Sequence, residues 1–151
     1  MKWEVRELAA EETYALRRAV SADGRTDLPT VRYEMDAAPG AWHLGAVDAT
    51  GRVVAISSFY VVPCPLRPEV RPAVRLQFMA VDPPVQKMGL GSAVMTEAIR
   101  RLKGTDAVLL WASARDTALP FYERFGFITV EGSGFTGQTG RPHHMIVLEL
   151  H

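Results

Sequence analysis

Cysteine is almost absent from this chain: Cys64, set between Pro63 and Pro65, is the only one in 151 residues. One thiol closes no intrachain disulfide and offers no cysteine pair to a structural metal, so a reducing compartment is permitted. No basic cluster lies near it in sequence to depress its pKa, and it reads as an incidental loop thiol rather than a nucleophile. Net charge is missing too, since 17 basic residues balance 17 acidic ones. No global field favours a polyanion, and no nucleic-acid partner is expected. Long apolar runs are lacking: charges interrupt the N-terminus throughout, and no window nears the roughly 18 apolar residues of a membrane span. A soluble, cytoplasmic protein with no membrane partner is expected.

What is present is enough for a core. Hydrophobic residues make up 48% of the chain, and one domain over residues 1–151 is expected, because a chain of this length buries about two thirds of its unfolded surface. "KWEVREL" alternates Trp3 and Val5 with charge, as a half-exposed strand does. Glu11 to Ala22 reads as a helix stopped by Asp23-Gly24. Residues 24–40, with Pro29 and Pro39, carry no firm pattern. "AWHLGAV" and "RVVAISSFYVV" flank the turn signal "DATG" and read as a hairpin. "PCPLRPEVRP" is a loop, since its prolines fit neither strand nor helix interior.

From "AVRLQFMAV" onward the pattern is strand, helix, strand. Leu90, Ala93, Val94, Ala98, Ile99 and Leu102 form an apolar stripe, Glu97 and Arg101 stand at i,i+4, and Gly104 takes the position expected just past the helix end. "AVLLWA" is continuous and apolar, as a buried parallel strand is. "TALPFYERFGF" reads as a second helix ended by Gly126. "FITVEG" and "HHMIVLEL" are two last strands around the Gly-rich "GSGFTGQTGRP". The order predicts an α/β fold of the α+β kind, a central mixed sheet with helices on both faces.

The chemistry gathers in "VDPPVQKMGLGSAVM". Gly89 and Gly91 stand between a strand and a helix, where the free N–H groups of a helix start suit a phosphate. A Walker loop needs Lys after its second glycine, yet Lys87 precedes both. A dinucleotide fingerprint needs a third glycine where Val94 stands. By itself the turn is equally a tight strand-to-helix connection without a ligand.

Gln86-Lys87-Met88-Gly89-Leu90-Gly91 resembles the Gln/Arg-x-x-Gly-x-Gly/Ala motif of the GNAT N-acetyltransferases. "ARDTALPFYERFGF" is similar to their second signature in Ala118, Phe121, Tyr122, Gly126 and Phe127. The resemblance covers most of the chain. It implies acetyl-CoA as co-substrate, with the pyrophosphate held by backbone amides from Gln86 through Lys87, Met88, Gly89, Leu90, Gly91 and Ser92. It implies a pantetheine arm along Met79 and Val81, in the strand-addition mode, with Phe121 among the cofactor-binding residues; Arg115 is a candidate for a CoA phosphate or an acidic acceptor, with a solvated helix-start residue as the alternative. Arg115 and Ser113 stand where many relatives carry an Asn, so that Asn's role has no counterpart here.

Tyr122 is the catalytic candidate, implied to protonate the departing CoA thiolate; packing beside Phe121 and Phe125 is the structural alternative. A base for the amine is not singled out. His143 and His144 on the last strand, and Glu34, Asp36 and His43 on the acceptor side, are the residues to examine. No metal is expected, because the two histidines have no helical i,i+3 or i,i+4 partner. The expected activity is acetyl transfer to a primary amine of a small molecule or peptide by direct attack in a ternary complex, and a homodimer is compatible with it. Two rivals remain: a non-catalytic acyl-CoA-binding module, and a nucleotide-binding protein using the glycine turn for another phosphate.

Overall fold

The computed structural model describes residues 2–21, 31–137 and 140–151. The proposed stop at Asp23-Gly24 lies outside them. Eight strands form one sheet: β1 (Trp3–Leu8), β2 (Trp42–Asp48), β3 (Val53–Val61), β4 (Ala73–Val81), β5 (Leu109–Arg115), β6 (Ile128–Thr129), β7 (Phe135–Thr136) and β8 (Pro142–Glu149). The order is β1-β2-β3-β4-β5-β8-β6, with β7 also paired to β8. Every pair is antiparallel except β4 with β5, which are joined through the helix α2 (Leu90–Lys103). The hairpin at "DATG" forms as expected: the Asp48 carboxylate accepts the backbone N–H groups of Thr50 and Arg52, and Gly51 supplies φ +87°. Among the described residues no helix is long and apolar enough to cross a membrane.

α2 covers one face of the sheet. Its Leu90, Val94, Met95, Ala98 and Leu102 are buried against Leu44, Val54, Phe59, Val74 and Leu76. Full burial of each larger side chain contributes roughly 1.5–3 kcal/mol. The other face packs Leu8, Ile56, Tyr60 and Phe78 against Leu16 from a helical segment over residues 10–21. That segment is a 3-10 turn, then α1 (Tyr14–Leu16), then a wider π turn at Arg17–Ser21. It buries Arg17 completely and leaves Ala15 and Ala19 exposed, so apolar character alone does not decide which side of this segment turns inward.

Three other expectations are revised. Gly104 ends α2 at φ −83°, a right-handed conformation open to any residue, so its glycine is not required there. The second helix is short: α3 spans Leu119–Glu123 after a 3-10 turn at Asp116–Ala118, although Gly126 does turn at φ +95°. Cys64 is fully buried with Ala73, Leu109, Trp111 and Val147, a core thiol rather than an incidental one.

The decisive irregularity lies in β4. Ile56 faces Ala80 while Ser58 faces Gln77, so Phe78 and Met79 together oppose Ser57, a bulge with Phe78 at φ +59°. Pairing with β5 stops at Arg75 opposite Trp111. Beyond that point the two strands diverge, and Leu76 to Val81 form an edge in mid-sheet.

Candidate active site

The edge runs straight into the glycine turn. Asp82 donates its N–H to the Val54 carbonyl at 2.9 Å. Strand alternation therefore turns the backbone groups of Val81, and of Met79 two residues earlier, away from β3 and toward the gap. The Val81 carbonyl accepts from the Gln86 side-chain amide at 3.0 Å, tying strand end to turn.

Lys87 at φ +71° and Gly89 at φ +85° make the chain double back. Gly89 occupies the cap position of α2 with no side-chain cap, and the first intrahelical bond is Ala93 N–H to Gly89 carbonyl at 3.0 Å. The N–H groups of Leu90, Gly91 and Ser92 are thus left to a ligand or solvent at the positive end of a 14-residue helix. A Cβ on Gly89 would meet nothing within 4 Å, whereas one on Gly91 would lie 3.4 Å from the Phe121 ring and 3.5 Å from the Met79 methyl. Gly89 is needed for its dihedral angles, and Gly91 marks where β4, α2 and α3 meet. Met88 is exposed beside them.

Tyr122 is buried next to this junction, 5.0 Å centroid to centroid from Phe121 and 5.4 Å from Phe127. Its hydroxyl makes no hydrogen bond among the described residues, and burial pushes its pKa above the ordinary phenol value. It stays protonated across the neutral range, which suits an acid and not a base.

Arg115 ends β5 on the opposite face from α2, with Nη2 3.4 Å from the Val20 carbonyl. That places it on the side of the helical segment 10–21. The two adjacent histidines hold structural contacts. His143 bonds the Arg141 carbonyl at 2.8 Å and stacks on Phe135, and His144 bonds Asp116 at 2.6 Å.

On that same face the fold assembles a buried polar cluster. Arg17 donates to both oxygens of Asp36, at 2.7 and 3.1 Å, to Ser58 Oγ at 3.0 Å and to Tyr60 Oη at 3.2 Å. Tyr60 in turn donates to Asp36, and His43 Nδ1 shares a 2.7 Å bond with Ser58. Burial pushes the Asp36 carboxyl up, but the bonds from Arg17 and Tyr60 outweigh it and hold the group below the usual carboxylate range. Burial lowers His43, with Asp36 opposing only in part. Asp36 and His43 are therefore structural members of a network rather than exposed bases, while Glu34 stays exposed. Arg17 also stacks on Phe78, its guanidinium carbon 4.2 Å from the ring centroid, and Tyr33 meets the same ring edge-on at 5.6 Å. The cluster clamps the bulge, where a non-glycine left-handed residue costs about 1–2 kcal/mol.

This network escaped sequence reading, and so did Arg75 and Gln77. The signal was there: "AVRLQFMAV" sets two polar residues two apart inside an apolar strand, so both face one side.

An opened β4–β5 pair with a bulge, feeding a helix start with uncapped amides, sets unpaired strand groups in line with free helix-start N–H donors, the chemistry that a ligand carrying amides and phosphates needs. The sequence model of the Acetyltransferase (GNAT) family matches residues 3–127. The chain belongs to the GNAT acetyltransferase family. As a member it is an acyl-CoA-dependent acetyltransferase, with the mixed sheet of the GNAT fold. Solved structures share the fold at low identity. ElaA of Escherichia coli superposes with a TM-score of 0.77 at 17% identity, over 98% of this chain and 100% of that one. An acyl-CoA N-acyltransferase from Pseudomonas aeruginosa gives 0.73 at 20% identity, over 97% of each chain. An aminoglycoside 6'-N-acetyltransferase complexed with coenzyme A gives 0.75 at 11% identity, over 98% and 97%.

Proposed function

We propose that this GNAT protein transfers an acetyl group from acetyl-CoA to a primary amine by direct attack in a ternary complex. The observation that carries the reading is the alignment of the open β4 edge with the uncapped start of α2. The amides from Gln86 to Ser92 would hold the pyrophosphate, and the backbone of Met79 and Val81 would take the pantetheine amides as an added strand. Phe121 would flank the arm at the Gly91 junction. Arg115 faces the other side of the sheet, and its placement supports an acceptor-side role better than the phosphate contact expected from sequence.

Placement of the two substrates supplies most of the rate. The amine nitrogen attacks the thioester carbonyl while the Val81 N–H stabilises charge on its oxygen. The C–S bond breaks, Tyr122 gives its proton to the leaving thiolate, and the amine loses a proton to solvent or a base. One domain over residues 1–151 would contain the whole site.

Thiol release from acetyl-CoA over a panel of amines tests this. Amine-dependent release at a rate above hydrolysis is the expected outcome. Tight CoA binding with no release on any amine would favour a binding module instead, and ATP or NAD binding more tightly than CoA in calorimetry would remove the reading.

A further inference from the structure

Resting on that acetyltransferase reading, we infer that the amine acceptor carries a carboxylate, and that Arg75 and Gln77 of β4 recognise it. Arg75 is half-buried, yet among the described residues its guanidinium interacts only with Trp111, on which it stacks with its carbon 5.1 Å from the ring centroid. It makes no salt bridge or hydrogen bond among the described residues, and its Nε is buried without a partner. Two residues along the same strand the Gln77 Oε1 is also buried without a partner. Two unsatisfied polar groups on adjacent same-face positions of one strand are costly to a resting protein, and a ligand that satisfies both repays the cost.

Their place in the fold points to the acceptor. Arg75 pairs with Tyr60 and with Trp111, and Gln77 pairs with Ser58, so both side chains stand on the face opposite α2. Arg75 is the last β4 residue paired to β5, and Gln77 immediately precedes the bulge. They therefore flank the opening between the strands on the side away from the phosphate-binding turn. Arg17 on this face is neutralised by Asp36 at 2.7 Å, whereas the Arg75 guanidinium meets no carboxylate among the described residues. Stacking on Trp111 leaves a guanidinium edge to offer paired donors to a planar carboxylate, the geometry in which Arg exceeds Lys. The Gln77 oxygen can then accept an N–H from the same molecule.

The test uses ω-amino acids of increasing chain length, glycine upward, each beside its matched carboxamide, in thiol release from acetyl-CoA. The free acid is expected to exceed its amide in kcat/KM by about ten- to a hundredfold at the best chain length. Arg75→Met should bring that ratio near one without lowering the melting temperature, because it removes an uncompensated charge while keeping an apolar stem on Trp111. A ratio near one in the wild type overturns the inference, as does an Arg75→Met protein that keeps the preference. If Arg75→Met fails to fold, the role is structural unless the wild-type ratio holds and Gln77→Leu lowers it. If CoA binds but no amine releases thiol, the transferase reading fails separately. Calorimetry of the acids and amides with CoA present then decides: acid-selective binding lost in Arg75→Met supports the carboxylate site, and equal binding removes it.

Discussion

Tyr122→Phe separates catalysis from packing more cleanly than any other single change. The phenol is buried between Phe121 and Phe127, and its hydroxyl has no hydrogen-bond partner among the described residues. Removing it breaks no hydrogen bond of the folded protein among the described residues, so folding stability should change by less than about 0.5 kcal/mol. For a chain of 151 residues that is a melting shift within about 2 °C. A positioned general acid contributes about 10²- to 10⁴-fold, or about 2.7–5.5 kcal/mol of barrier. The two expectations differ by at least about fivefold in energy, and they fall on different measurements. Steady-state thiol release with the best amine of the panel should show kcat reduced at least about a hundredfold. Calorimetric affinity for CoA and the melting temperature should be unchanged. Because burial raises the Tyr122 pKa, the phenol adds no alkaline limb to the wild-type kcat profile between pH 6 and 9. Equal kcat in the two proteins refutes the acid role. A kcat loss accompanied by weaker CoA binding and a lower melting temperature assigns Tyr122 to packing instead.

The glycine turn offers a contrast. Gly89→Ala forces a left-handed alanine and should cost about 1–2 kcal/mol in denaturant unfolding, whereas Gly91→Ala should be neutral or up to about 1 kcal/mol stabilising yet weaken CoA binding in calorimetry, because its methyl crowds the junction with Phe121 and Met79; unchanged CoA affinity would show that the cofactor does not need that space. Arg17→Met strands the Asp36 carboxylate and should cost about 3–5 kcal/mol, with Arg17→Met/Asp36→Asn recovering much of it; a single-variant loss under about 1 kcal/mol in urea melts would contradict the buried pair. Acid sensitivity should come in two stages. Burial sets the folded His43 pKa below its unfolded value near 6.5, so the unfolded chain binds the extra proton first and stability falls as pH drops below about 6.5. Asp36 is held below its ordinary value, so its contribution is present above about 4 and lost as pH falls through the carboxylate range. Melting temperatures of His43→Gln from pH 8 to 5 should lack the first decline; an identical decline would place its cause elsewhere.

Much of the molecule was legible in the chain because it depends on short-range order. The hairpin at "DATG", the α2 stripe and the Glu97–Arg101 pair, bonded at 2.7 Å, are local patterns that folded as read. The two motifs gave the family and the stretch holding the turn, because the left-handed backbone at Gly89 and the uncapped helix start are properties of a few consecutive residues. Corrections fell where local pattern met a remote partner. Arg17 lies on a helix whose apolar periodicity says nothing of it, and it is buried only because Asp36, Ser58 and Tyr60 arrive from other segments to satisfy it. β7 has two residues and exists only by pairing with β8.

The sequence by itself determined the order of elements, the left-handed glycine turn before α2 and the tyrosine beside it, since spacing along the chain specifies backbone conformation and local faces. Only the tertiary structure decided what stands on the sheet face opposite α2. The one-residue bulge at Phe78 reverses the side-chain parity of β4, the strands part after Arg75 and Trp111, and charges there are either paired by distant segments, as Arg17 is, or left without a carboxylate among the described residues, as Arg75 is. Charge compensation is a property of three-dimensional neighbours, and no one-dimensional pattern encodes it.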